Sequence, residues 1–180
     1  MKKLPLYIFL ALIFCTVSFA DELFGIKFGD NINNYTIKKK ISDSLYSIKP
    51  KILNEDFYEY QVRVTKKNII VQVDAFTKKK FKTKIDCVIK LGVYTNATRR
   101  RLIKSGYDKI FDVYQETIEQ PSDFNNYILF GKAENEQDND WHTRYNLYLM
   151  NDCRKLNDHY QIEIHLGDRS LGLGYDKKGL

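Results

Sequence analysis

His159-Tyr160-Gln161-Ile162-Glu163-Ile164-His165-Leu166 alternates polar and apolar side chains with a period of two, which is the pattern of a strand that buries one face. Tyr160, Ile162, Ile164 and Leu166 point inward on this reading, and His159, Gln161, Glu163 and His165 point away. The same rhythm runs upstream, where Trp141, Thr143, Tyr145, Leu147 and Leu149 oppose His142, Arg144, Asn146 and Tyr148. Downstream, Gly167-Asp168-Arg169 reads as a turn into a last strand with Leu171, Leu173 and Tyr175 on one side. Tyr127 to Phe130 adds a short strand, and Ala133 to Asp140 is an acidic, Asn-rich loop.

Earlier in the chain, Phe57, Glu59, Gln61 and Arg63 alternate with Tyr58, Tyr60, Val62 and Val64. Thr65-Lys66-Lys67-Asn68 then turns into Ile69 to Phe76. So short a loop cannot make a parallel crossover, and the two runs are predicted to pair as an antiparallel hairpin. Leu23 to Gly29 reads as a first strand, ended by Gly29-Asp30. Residues up to about Pro50, and those from Gly106 to the strand at Tyr127, carry only weak patterning.

Lys78 to Ser105 admits two periods. With helical spacing, Phe81, Ile85, Val88, Ile89 and Gly92 share a face that Leu102 and Ile103 continue, and Gly106 supplies a stop. With period two, Ile85, Cys87, Ile89, Leu91 and Val93 alternate as a strand. The lysines suit a solvated helix face, whereas Gly92-Val93-Tyr94-Thr95 is poor helix material. The spacing therefore predicts helix from about Lys79 to Leu91 and again, capped by Asn96, from Ala97 to Ser105. Strands on both sides of one helical region give an α+β fold: an antiparallel β-sheet with a helical region packed on one face.

At the amino terminus, Lys2 and Lys3 precede an apolar run from Leu4 to Val17, and Ser18-Phe19-Ala20 is a small-x-small cleavage site. This is a secretory signal peptide over residues 1–20, cleaved after Ala20, ahead of a single domain over residues 21–180. The run is shorter than the roughly 20 apolar residues a membrane span requires. Phe14 stands where a lipoprotein needs a small residue before Cys15. Export to the periplasm or the extracellular space gives the remaining cysteines their meaning: Cys87 and Cys153 are an even number in an oxidising compartment and are expected to form one disulfide. They fit neither a C-x-x-C redox motif nor a metal-ligand spacing.

Of 180 residues, 29 are Lys or Arg and 23 are Asp or Glu. Two of the lysines fall in residues 1–20, so the rest of the chain carries 27 against 23, or +4. A balance that mild excludes a histone-like chain, and 43% hydrophobic content excludes a disordered tail. The basic residues are nonetheless clustered, at Lys38-Lys39-Lys40, at Lys78, Lys79, Lys80 and Lys82, and at Arg99, Arg100 and Arg101. The last two clusters are candidate anion-binding residues. Outside the cytoplasm their partners are an unknown protein, acidic glycans, cell-wall polymers or lipid headgroups rather than nucleic acid.

Catalytic signals are weaker. Glu163 and His165, two apart on one strand, project from one face about 6 to 7 Å apart and could share a metal with His142 as third ligand, while His159 is about 20 Å from His165. The simpler reading is a polar, solvent-facing strand surface with no metal. No G-x-S-x-G or S-x-x-K motif surrounds any serine. Glu134, Glu136, Asp138 and Asp140 lack the spacing of a calcium hand. Leu171-Gly172-Leu173-Gly174 has no helix after it to make a phosphate cradle. The leading expectation is a small exported binding or accessory module without a cofactor. The alternatives are an extracytoplasmic hydrolase using His and Asp/Glu, and a peripheral protein held at a membrane surface by a basic helical face.

Overall fold

Short turns between alternating runs force antiparallel neighbours, and the chain builds them throughout. The computed structural model describes residues 22–104, 106–113, 125–132, 147–168 and 171. In order these form β1 (Glu22–Leu23), β2 (Ile26–Lys27), a 3₁₀ turn (Ile32–Asn34), β3 (Thr36–Lys40), β4 (Leu45–Lys49), β5 (Phe57–Val64) and β6 (Ile70–Thr77). Then come the helix α1 (Lys84–Lys104), β7 (Tyr107–Val113), β8 (Asn125–Lys132), β9 (Leu147–Leu156) and β10 (His159–Asp168).

 The eight longer strands make one antiparallel sheet in the order β3-β4-β5-β6-β10-β9-β8-β7, and β1 and β2 pair separately. Two four-stranded meanders thus meet at a central β6–β10 seam, where Ala75 faces Ile164 and Asp74 faces His165. The predicted hairpin is present as the antiparallel β5–β6 pair.

Helix α1 links the meanders, leaving the centre of the sheet after β6 and delivering the chain to the far edge at β7. It packs on β9, β10 and β7. Cys87, Leu91, Thr95 and Leu102 are its buried residues, and the facing strands contribute Leu147, Leu149, Ile162 and Ile164 to the same core. The Cys87–Cys153 disulfide joins α1 to β9 with Cα atoms 6.0 Å apart. On the chain-entropy account, closing a loop of 66 residues stabilises the fold by about 4 kcal/mol. The α+β architecture, with one helix on one face of an antiparallel sheet and a single disulfide, is as the sequence implies.

Several local expectations need correction. The helix is one continuous rod, and neither of its predicted boundaries near Lys79 and Asn96 is where a helix begins. Phe81 is extended, exchanging backbone hydrogen bonds with Tyr160 at 2.9 and 2.8 Å, and the start is set by Thr83, whose Oγ1 accepts from Asp86 N at 3.1 Å. Asn96 lies inside the helix, and Thr95 satisfies its hydroxyl on the Leu91 carbonyl at 2.9 Å. Gly106 ends the helix as expected, with φ +88° and its N–H on the Ile103 carbonyl.

The apolar face is also rotated from the predicted one: Ile85 and Ile89 point to solvent, because the disulfide turns Cys87 toward the sheet. Leu23 to Gly29 is a tight two-strand hairpin rather than one strand, since Phe24 and Gly25 both take positive φ. The weakly patterned segments contain β3, β4 and β7. Cys153 lies within β9. The expected signal peptide, the expected acidic loop at 133–140, Trp141, His142 and the predicted last strand beyond Leu171 lie outside the described residues.

Candidate functional site

Two surfaces carry chemistry, one on each side of the sheet. The first lies on the face opposite α1. Here Asp74 from β6, Glu163 and His165 from β10, and Tyr148 and Arg154 from β9 converge because alternate residues of adjacent strands share a face. His165 Nδ1 lies 2.8 Å from Asp74 Oδ1, and His165 Nε2 faces Glu163 Oε2 at 3.6 Å. Gln72 Nε2 donates to Asp74 Oδ1 at 2.6 Å, Tyr148 OH donates to Gln72 Oε1 at 2.7 Å, and Arg154 reaches Glu163 at 3.4 Å. Tyr148 crosses β10 at Gly167, where a Cβ would collide with its ring.

This face is therefore not the solvent-facing surface that the alternation suggests: Asp74, Gln161 and Glu163 are buried. Burial opposes charging His165, but its bonds to Asp74 and Glu163 outweigh that cost and raise its pKa from 6.5 to about 9. Burial likewise opposes ionising Glu163, yet His165 and Arg154 hold its pKa below the ordinary value. The result is an imidazolium between two carboxylates. A general base needs an unprotonated ring nitrogen facing substrate, and here both nitrogens face carboxylates. Among the described residues, no group of three His, Cys, Asp or Glu side chains is arranged to hold a metal.

The second surface lies around the start of α1. Lys79, Lys80 and Lys82 sit on the loop between β6 and the Thr83 cap, on either side of Phe81 and its bridge to β10, and all three are exposed. They line an open groove of about 370 Å³ together with Phe81 and with Asp86, Ile89, Lys90 and Val93 from the helix. Lys79 Nζ lies 5.2 Å from the Phe81 ring centre, and Lys90 Nζ lies 4.8 Å from that of Tyr94. Asp86 is the one acidic residue in this lining, and its carboxylate accepts from Thr83 Oγ1 at 2.7 Å. Along the outer side of the helix, Ile85, Ile89 and Val93 are 72%, 65% and 55% exposed.

The predicted basic residues are thus divided. Lys79, Lys80 and Lys82 share one groove, and Lys78 is exposed at the base of the same loop. Arg99, Arg100 and Arg101 are consecutive helical residues, so they leave α1 in directions about 100° apart. Arg101 turns toward the β1–β2 hairpin and pairs with Glu22 at 3.0 Å.

No protein-family model, curated protein or solved structure matches this chain. Its chemistry must be read from the residues themselves. Sequence reasoning missed Lys90 as a member of the basic groove, and Asp74 and Tyr148 as members of the ionic network. Placing Cys87 toward the sheet would have found the first, because that rotation sends Ile89 and Val93 outward and leaves Lys90 beside them. The second requires the β6–β10 pairing, which no local pattern specifies.

Proposed function

We propose that the chain is a small exported binding module, acting without a cofactor, that docks an anionic ligand on the lysine-rich groove at the start of α1. The observation that carries this reading is the gathering of Lys79, Lys80 and Lys82 around one groove with a single acid in its lining, with Lys90, 3.9 Å from Asp56, on its helical side. Helix stability does not account for the lysines, since cations at a helix amino terminus oppose its dipole. An anion on the groove would be attracted by several charges at once. The Cys87–Cys153 disulfide fits maturation in an oxidising compartment, and among the described residues no helix is long and apolar enough to cross a membrane.

The hydrolase alternative draws on His165, which does meet a carboxylate within hydrogen-bond reach. It is the weaker reading, because both ring nitrogens of His165 are held by Asp74 and Glu163. Titration with heparin, a soluble polyanion, tests the binding reading. Salt-sensitive binding that falls about hundredfold in Lys79→Gln/Lys80→Gln/Lys82→Gln, at about fivefold per charge, is expected. Binding that is absent, or indifferent to these substitutions, refutes it.

A further inference from the structure

The helix face beside the groove adds a feature that charge alone does not explain. Ile85, Ile89 and Val93 recur every fourth residue, so their side chains form one ridge about 12 Å long. They stand largely free of the protein, while Cys87, Leu91 and Thr95 anchor the opposite side of the same turns in the core. A soluble polyanion has no use for three exposed aliphatic side chains. A protein partner would have to match the apolar ridge and the lysines beside it with separate apolar and acidic surfaces of its own. An anionic bilayer accepts both chemistries at once: apolar side chains enter the boundary between headgroups and acyl chains, and flanking lysines meet the phosphates.

Resting on the binding reading above, we infer that the anionic ligand is a lipid bilayer surface, engaged by the Ile85–Ile89–Val93 ridge with Lys79, Lys80 and Lys82 beside it. The lysine stems lie along the membrane surface with their charged ends at headgroup level. Asp86 stays compatible with this arrangement because its carboxylate is hydrogen-bonded to Thr83.

The test is sedimentation of the purified full chain with vesicles of equal phosphatidylglycerol and phosphatidylcholine, against pure phosphatidylcholine and against heparin. Wild type is compared with Lys79→Gln/Lys80→Gln/Lys82→Gln and with Ile85→Gln/Ile89→Gln/Val93→Gln. The substituted positions are exposed and Gln is a good helix former, so thermal unfolding should match wild type and confirms folding. The expected result is binding to the anionic vesicles that drops about hundredfold in the lysine variant and at least about tenfold in the ridge variant, whose heparin binding stays unchanged. Vesicle binding indifferent to the ridge substitutions, or binding to heparin without binding to vesicles, overturns the membrane inference and leaves the anion-binding reading standing. Wild-type protein that binds neither ligand overturns both.

Discussion

Deprotonating His165 should unfasten the centre of the sheet. The imidazolium is held by Asp74 and Glu163, with Arg154 on the far side of Glu163, so its folded pKa of about 9 exceeds the ordinary 6.5. A raised folded pKa means that the stabilisation is whole below about pH 6.5 and disappears as pH climbs through about 9. At 1.36 kcal/mol per pKa unit the loss is about 3 kcal/mol, and for a chain of this size that lowers Tm by roughly 6 to 12 °C. Thermal unfolding between pH 6 and 10 measures it, with His165→Gln as the reference, because tyrosines and lysines also begin to titrate at the alkaline end. The variant should be less stable at pH 6 and should lack the wild-type step. With only three histidines in the chain, an NMR titration can place the midpoint directly. A midpoint near 6.5, or wild-type and variant Tm values that fall in parallel, would refute the reasoning.

Replacing Cys87 and Cys153 with Ala should cost about 2 to 5 kcal/mol, read from denaturant unfolding, and the oxidised protein should gain two mass units on reduction. Asn151 Nδ2 donates to Thr95 Oγ1 at 2.7 Å inside the core, while Asn151 Oδ1 has no hydrogen-bond partner. Thr95→Val alone should therefore cost about 1 to 3 kcal/mol by stranding the amide, whereas Thr95→Val with Asn151→Leu should recover most of that loss in the same assay. Gly167→Ala should destabilise by about 1 to 3 kcal/mol, because its Cβ meets the Tyr148 ring. Adding Tyr148→Ala should make the Gly167→Ala change nearly neutral, as a double-mutant cycle would show.

The strands at the middle of the sheet were legible because an apolar face alternates with a polar one, even where both are buried: Tyr60, Val62 and Val64 on β5, and Ile162, Ile164 and Leu166 on β10, are buried apolar residues with Gln61 and Arg63, and Glu163 and His165, between them. β3 was not, because all five of its residues are exposed and nothing selects for a period. The helix was legible as helix, but its inner face was misread. Ile85, Ile89 and Val93 are more apolar than Cys87, Leu91 and Thr95, so hydrophobicity pointed the wrong side at the core. The disulfide expectation contained the answer, since Cys87 cannot reach Cys153 from the outer face. For the candidate site, Lys79, Lys80 and Lys82 were visible as a run, whereas Arg99 to Arg101 dispersed because adjacent residues on a helix do not share a side.

The β6–β10 seam has a consequence for how the molecule is made. Its paired side chains, His165 and Asp74, are 91 residues apart in the chain, so the amino-terminal meander ends on an open strand until β10 is available. An unpaired edge recruits other chains, and distant pairings form slowly. Assembly should therefore be most vulnerable to aggregation just before β10 docks, and anything that shields β6 during that interval should raise the yield of native protein.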